Sequence, residues 1–228
     1  MNFALANTEG CKVILVTSAM QSEGKSLTAL NLAISFAQTG TRVLIIDCDL
    51  RRPKINRLLD VSSDSGLSNH LVEPKQLDDL PIKMEDHGID LISAGDIPPN
   101  PSELLGSAKM QSLLTALREK YDCIIIDSPP VDLVIDAVVL VPMCDGVLFV
   151  AKANQTERGA VIHAVEQLEY AKAKILGFVL NGETLEFGSS YGKYKYRRYG
   201  KYGYRRSFDY GYESARESEP STSAGLQP

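Results

Sequence analysis

The sequence predicts an α/β fold in which a doubly wound, mostly parallel sheet is flanked by helices. Two observations predict it: short β-branched runs alternate with longer segments of helical period, and most of the runs are apolar on both faces. Strands of that kind are usually central and parallel, and strict alternation with short connections is typical of doubly wound sheets. A chain of 228 residues with 44% hydrophobic content can bury the core of one such domain.

Six strands and three main helices follow in chain order. The predicted strands are Lys12–Ser18, Arg42–Asp47, Ile89–Ser93, Asp122–Asp127, Val147–Ala151 and Lys174–Leu180. Apolar residues at helical spacing predict helices after the first strand (Leu27, Leu30, Ile34 and Ala37), over Ser102–Lys120, and from Val161 to Lys172. Because ligands of such sheets bind at the carboxyl ends of the strands, the polar residues that follow each strand are the candidates for a site.

The regular pattern stops near Asn181, and the last part of the chain has a different composition. From residue 189 to the end there are eight Lys or Arg against four Asp or Glu, which gives this part a charge of +4. The first 188 residues therefore carry −9, and the two parts sum to the total of −5. Eight of the ten tyrosines lie between Tyr191 and Tyr212. Aliphatic residues are almost absent there, and too little apolar surface remains to offset the entropy of ordering. We therefore predict a domain over residues 1–182 and a flexible tail over residues 183–228.

Composition excludes several classes of protein. A net charge of −5 argues against coating nucleic acid or a membrane with the whole surface. The four cysteines show no C-x-x-C spacing, and no apolar run approaches the roughly 18 residues of a membrane span. The first ten residues lack a basic flank followed by an apolar stretch, so no signal peptide is predicted and a cytoplasmic location is expected.

A phosphate-binding loop follows the first strand. The stretch Ala19-Met-Gln-Ser-Glu-Gly24-Lys25-Ser26 stands between strand and helix, where loop amides and the helix N-terminus point at an anion. Lys25 would reach the β- and γ-phosphates of ATP, and the Ser26 hydroxyl can ligate Mg²⁺. The alternative is an ordinary turn, since Ala19 replaces the first glycine of the pattern. The predicted ATP-binding residues are Gln21, Ser22, Glu23, Gly24, Lys25, Ser26 and Leu27, together with Asn181 at the end of the last strand.

Acidic residues end two further strands. Asp127 closes an apolar run, and Asp47 and Asp49 close another at a spacing that puts both on one side of an extended chain. Beside a phosphate site such carboxylates can hold Mg²⁺ and its water, or accept a proton from an attacking hydroxyl, whereas a lone Asp at a strand end is more often a cap. Ser26, Asp49 and Asp127 are the predicted metal ligands. Lys25, Asp47 and Asp49 are the predicted catalytic residues, with the base left open between the two aspartates.

Three other polar residues near these strand ends allow two interpretations each. Arg51 and Arg52 lie two and three residues after Asp49; they could meet a phosphate or a partner carboxylate, or be solvated charges. Asn181 ends the last strand, where its amide could read an adenine edge or initiate a turn.

The tyrosine cluster also has more than one interpretation. With its interleaved Lys, Arg and Gly it could bind single-stranded nucleic acid by stacking, or form a sticky segment with no defined target. It could instead supply phosphate acceptors, because a flexible tail can enter an active site of its own or a neighbouring chain. The predicted acceptors are Tyr191, Tyr194, Tyr196, Tyr199, Tyr202, Tyr204, Tyr210 and Tyr212.

The combination of motifs resembles the bacterial tyrosine kinases that govern capsular and exopolysaccharide export. The motifs are Glu23-Gly24-Lys25-Ser26, Asp47-Cys-Asp49-Leu-Arg-Arg-Pro53, Pro98-Pro-Asn-Pro-Ser-Glu-Leu-Leu105 and Asp127-Ser-Pro-Pro130, followed by the tyrosine cluster. The resemblance implies a P-loop kinase that uses ATP and Mg²⁺, autophosphorylates its tail, and is recruited to the inner face of the membrane by an adaptor of the polysaccharide co-polymerase type. It also implies other protein substrates, a cognate tyrosine phosphatase, oligomers joined through tail-to-active-site contacts, and no nucleic acid.

Two other functions fit the same fold. One is a partition-type or cell-division-type ATPase with the tail as an anchor, although such proteins usually carry an early lysine in the loop where this chain has Ala19 and Met20. The other is an RNA-binding protein with a nucleotide-sensing domain. The eukaryotic protein-kinase fold is not indicated, because the sequence contains no H-R-D or D-F-G.

Overall fold

The computed structural model describes residues 12–62, 65–74 and 76–182. Within them a seven-stranded sheet has the order β3-β4-β2-β5-β1-β6-β7, in which only β3 runs antiparallel to its neighbour. The strands are β1 Lys12–Ser18, β2 Val43–Asp47, β3 Ile82–Met84, β4 Ile89–Ile92, β5 Cys123–Asp127, β6 Gly146–Lys152 and β7 Ile175–Asn181. The doubly wound, mostly parallel sheet predicted from the sequence is confirmed. The predicted tail with its eight tyrosines lies outside the described residues.

Helices cover both faces of this sheet. They are α1 Lys25–Ala37, α2 Ile55–Leu59, α3 Leu67–Val72, α4 Pro101–Leu105, α5 Ala108–Arg118, α6 Asp136–Leu140 and α7 Arg158–Tyr170. Three short 3₁₀ turns lie at Leu77–Asp79, Glu85–His87 and Val141–Met143. Among the helices of the described ranges, none is long and apolar enough to cross a membrane.

Two details differ from the sequence-based prediction. The single helix expected over Ser102–Lys120 is wrong, because α4 ends before Gly106 and a new helix starts at Ser107, whose Oγ accepts a hydrogen bond from the backbone N–H of Met110. This capping interaction satisfies an amide that a continuous helix would pair internally. Strand β3 was not predicted, since its three residues are half-buried or exposed and show no apolar run.

The arrangement of the three central strands determines where a site can form. Strands β2 and β5 are buried along their whole length, as is β1 beyond its first residue, and apolar clusters pack on both faces of the sheet. Strand β5 lies between β1 and β2, with Asp127 in register with Val16 on one side and with Asp47 on the other. The carboxyl ends of β1, β2 and β5 therefore meet at one edge.

Candidate active site

The phosphate loop connects β1 to α1 and depends on a glycine at its end. Gly24 has φ +92°, and a Cβ built on it would lie 1.8 Å from Nδ2 of Asn181. No L side chain fits in that position, so glycine is required by both backbone and space. Helix α1 begins at the next residue, Lys25, and its first-turn amides face the loop as an anion site.

A buried glutamate holds the loop from behind. Oε2 of Glu23 accepts a hydrogen bond from the backbone N–H of Met20 at 2.8 Å. Oε1 accepts one from the hydroxyl of Thr156, a residue in the turn after β6. Nδ2 of Asn181 donates to the carbonyl of Glu23 at 3.0 Å, and its Oδ1 accepts the Gly182 amide. Both Glu23 and Asn181 thus shape the loop, and neither lines the cavity in front of it. Thr156 is a contributor that the sequence-based prediction missed.

A cavity of about 510 Å³ opens in front of the loop. Seven of the predicted site residues line it: Gln21, Ser22, Gly24, Lys25, Ser26, Leu27 and Asp49. The other lining residues are Arg51, Arg52, Lys54, Leu58, Pro129, Pro130, Leu133 and Val134. The structure therefore brings the loop predicted to bind phosphate and one predicted catalytic aspartate to the same surface.

The Lys25 ammonium lies between two carboxylates. Its Nζ is 3.0 Å from Oδ2 of Asp49, 3.7 Å from Oδ1 of Asp127 and 3.4 Å from Oγ of Ser26. Burial would lower the pKa of Lys25, but Asp127 and Asp49 outweigh it and raise the pKa above its usual value. The side chain is therefore a permanent cation at the mouth of an anion site.

Asp127 is completely buried behind Lys25. Among the residues that the structure describes, neither of its carboxylate oxygens has a hydrogen-bond partner. Burial raises the pKa of Asp127 to about 6, although the charge of Lys25 and the nearby Ser26 hydroxyl act in the opposite direction. A buried carboxylate without a hydrogen bond is costly, and the Lys25 ammonium at 3.7 Å offsets only part of that cost, so a metal cation bound to its oxygens would lower the cost further.

These residues fit a magnesium ion with few protein ligands. The oxygens of Asp127, Asp49 and Ser26 are the hard donors that Mg²⁺ prefers. In the described part of the chain no three His, Cys, Asp or Glu side chains are grouped to hold a metal ion by themselves. A cation here would therefore take its remaining ligands from water and phosphate oxygens, as Mg²⁺ does when it accompanies a nucleotide.

Asp47 has a different position from the one predicted for a catalytic base. It is completely buried and does not line the cavity. Oδ1 of Asp47 accepts the Asp49 amide, and Oδ2 accepts the amides of Lys54 and Ile55, each at 3.1 Å. Burial and the neighbouring Asp127 raise the pKa of Asp47 to about 7, against the effect of these amides. Its contacts hold the β2–α2 loop, whereas Asp49 reaches the cavity.

Arg51 is held by a carboxylate and does not lie free in solvent. Its Nε is 2.8 Å from Oδ2 of Asp136, and its Nη2 is 3.1 Å from Oδ1 of Asp136 and 3.1 Å from Oγ of Ser102. Asp136, at the start of α6, is completely buried. Of the two interpretations of Arg51, the partner carboxylate is the one that the structure contains. Arg52 instead donates to Oε1 of Gln21 at 2.7 Å.

Comparison with known proteins gives three findings. The ParA family, described as NUBPL iron-transfer P-loop NTPase, matches residues 10–206. The tyrosine-protein kinase YwqD of Bacillus subtilis (strain 168) is 38% identical over 183 residues, which are 80% of this chain and 77% of that protein. The kinase domain of the Escherichia coli tyrosine kinase ETK superposes with a TM-score of 0.78 at 34% identity, covering 84% of this chain and 74% of that one.

A more distant likeness concerns the fold alone. The septum site-determining protein MinD from Pyrococcus horikoshii, complexed with Mg-ADP, has a TM-score of 0.64 at 22% identity. At this identity the likeness shows a shared fold and nothing further.

Proposed function

The chain belongs to the bacterial tyrosine-protein kinases, within the ParA-type P-loop NTPases, and we propose that it transfers phosphoryl groups from ATP to tyrosines of its own residues 183–228. The observation that carries this proposal is the position of Lys25 between Asp49 and Asp127, at the N-terminus of a helix and in front of an open cavity. We further propose that the activity regulates capsular or exopolysaccharide synthesis, as the family resemblance implies.

Each residue of the site has a distinct part in the transfer. The loop amides and the Lys25 ammonium bind the β- and γ-phosphates and neutralise their charge. Asp49, Asp127 and the Ser26 hydroxyl would hold Mg²⁺, which would neutralise further charge on those phosphates. The phenol oxygen of the acceptor forms a bond to the γ-phosphorus while the bond to the bridging oxygen of ADP breaks. Asp49 accepts the phenolic proton in this proposal, because it lines the cavity and Asp47 does not.

Partners of the kinase are also proposed from the resemblance. A membrane adaptor of the polysaccharide co-polymerase type supplies an activating segment and recruits the kinase to the inner face of the membrane. Tail tyrosines of one copy enter the site of another, which gives a homo-oligomer, and a tyrosine phosphatase reverses the reaction. Each phosphate adds about −1.5 to −2 charge, so three modifications would overturn the +4 of residues 189–228.

Intact mass spectrometry after incubation with Mg-ATP tests the proposal. We expect mass gains in steps of one phosphate, which deletion of residues 183–228 removes. Lys25→Met should abolish them, whereas Lys83→Met, a change of an exposed lysine on β3, should have no effect. Undiminished labelling of Lys25→Met would contradict the kinase mechanism.

Measurements of ATP hydrolysis and RNA affinity, made beside the mass measurement, separate the two alternative functions. ATP hydrolysis without any mass gain would indicate a partition-type ATPase. A loss of RNA affinity on deleting residues 183–228, with no phosphorylation, would indicate the nucleotide-sensing RNA-binding protein.

A further inference from the structure

The front part of the cavity differs in chemistry from the phosphate loop behind it. Apart from Leu27 on α1, five apolar side chains line the cavity, from two separate segments: Leu58 on α2, and Pro129, Pro130, Leu133 and Val134 in the β5–α6 loop. Leu58 and Leu133 are 44% and 45% exposed, although both are large and aliphatic. Contact with such side chains gives a phosphate group no hydrophobic stabilisation, whereas it stabilises a bound aromatic ring.

These apolar walls belong to the same cavity as the candidate catalytic residues. The cavity they line also contains Lys25, Asp49 and Arg51. Asn181 and Thr156, which contact the loop from the other side through Glu23, do not line it. The apolar walls therefore share one cavity with the residues expected to bind the β- and γ-phosphates.

Cations without a carboxylate partner stand beside the apolar walls. The charge of Arg51 is matched by Asp136, but in the described part of the chain no carboxylate lies within 4.0 Å of the Arg52 guanidinium or the Lys54 ammonium. Both side chains line the cavity, and Arg52 is exposed. Lys54 acts on the buried Asp127 from a distance, so the exposed Arg52 is the less offset of the two charges; positive charge at a binding surface favours a partner with negative charge.

We propose that this surface is the acceptor subsite, and that it selects a tyrosine flanked by acidic residues. The proposal rests on the proposed kinase function and names the substrate that the site prefers. Leu58, Leu133 and Val134 enclose the phenol ring, while Arg52 and Lys54 contact carboxylates next to it in the peptide. The subsite is defined here as these five residues.

The sequence of the chain turns this preference into an order of modification. Of the eight tyrosines proposed as acceptors, six have only Gly, Ser, Lys or Arg as immediate neighbours. Tyr210 follows Asp209, and Tyr212 precedes Glu213. The subsite therefore selects Tyr210 and Tyr212 first, ahead of the tyrosines with basic neighbours.

Two matched peptides test the charge preference. One contains residues 207–214, and the other contains the same residues with Asp209→Lys and Glu213→Lys. Exposed charge pairs are individually weak, so we expect about a fivefold higher kcat/KM for the natural peptide, shrinking in 0.5 M salt. The double variant Arg52→Ala, Lys54→Ala should lose the preference, while Arg158→Ala, a change of an exposed cation on α7, should keep it. Equal kcat/KM for both peptides would overturn the proposal.

Shortening the apolar side chains tests their proposed contact with the phenol ring of the acceptor. Leu58→Ala and Leu133→Ala should each raise the KM of the natural peptide about tenfold, and raise it far more than the Kd for ATP. Ile162→Ala is the matched control, because Ile162 is 44% exposed and lies outside the cavity. Equal effects of the three substitutions on peptide KM would refute the apolar walls as a subsite.

A binding measurement keeps this test separate from the proposed function. If the wild-type chain phosphorylates no tyrosine, the kinase proposal fails. The Kd values of the two peptides, measured by NMR titration in the presence of Mg-ADP, would still show whether the subsite prefers the acidic peptide. In the full chain, peptide mapping at early times of autophosphorylation should find phosphate on Tyr210 and Tyr212. Earlier phosphate on Tyr194, Tyr196 or Tyr199 would contradict the selection.

Discussion

Asp127→Asn should stabilise the metal-free protein while it impairs the kinase. The carboxylate is completely buried without a hydrogen-bond partner among the described residues, and its pKa is raised from 3.8 to about 6. A rise of two pKa units corresponds to about 3 kcal/mol that ionisation of this group costs the folded state. Asparagine resembles the neutral carboxyl group, so about 3 kcal/mol is the largest gain expected at pH 8; the unpaired amide hydrogens of Asn reduce it.

The sign of the effect depends on pH. A carboxyl group whose pKa is raised on folding binds its proton more tightly in the folded state, so unfolding becomes easier as the pH rises from about 4 to about 6. Below pH 4 both states of the wild type carry the proton, and the advantage of Asp127→Asn disappears. Above the folded pKa the advantage is complete.

Urea unfolding in EDTA at pH 4 and pH 8 measures this difference. Asp122→Asn is the matched control, because Arg42 lowers the pKa of this exposed aspartate to about 2. The same substitution there should destabilise the protein at pH 8. If Asp127→Asn lowers the unfolding free energy at pH 8, or changes it equally at both pH values, the reasoning about the buried charge is wrong.

Three further substitutions test the contacts around the site. Gly24→Ala places a Cβ against Asn181 at a positive φ, so it should lower the unfolding free energy by about 1–3 kcal/mol and weaken ATP binding measured by calorimetry. Gly159→Ala is the control, because a Cβ there meets no atom within 4 Å, and it should have neither effect. Thr156→Val removes the hydrogen bond to Glu23 and should cost about 1 kcal/mol in ATP affinity, seen as about a fivefold higher Kd. Asp136→Asn weakens the pair with Arg51 and should lower the unfolding free energy in urea by about 1 kcal/mol, because the Arg51 charge that remains is exposed to solvent, with slower phosphoryl transfer; unchanged stability would contradict the pairing.

The sheet and the loop could be predicted because their signals are local. Apolar runs that end in aspartate, as at Asp127, mark central strands whose carboxyl ends meet, and Gly24-Lys25-Ser26 marks the turn between strand and helix. The contacts that stabilise the loops have no local signal. Arg51 meets Asp136 across 85 positions, and Glu23 meets Thr156 across 133, so only the folded chain brings them together.

Asp47 illustrates where a local rule stops applying. Spacing of two residues puts side chains on one side of an extended chain, and this predicted that Asp47 and Asp49 share a role. Strand β2, however, ends at Asp47, and the chain turns directly after it. The Asp47 carboxylate consequently accepts amides from the turn, while Asp49 is carried forward to Lys25.

The burial of these carboxylates explains why the site would bind a divalent cation with a nucleotide. Asp47, Asp49 and Asp127 are three buried carboxylates around one ammonium, that of Lys25. With all three ionised the cluster carries two excess negative charges; burial first, and repulsion between the carboxylates second, raise the pKa values of Asp47 and Asp127. A magnesium ion held by Asp49 and Asp127 would bring two positive charges into the cluster and reduce this repulsion, as protonation does without the metal. Asp127→Asn, which should stabilise the metal-free protein, should therefore also weaken the binding of magnesium.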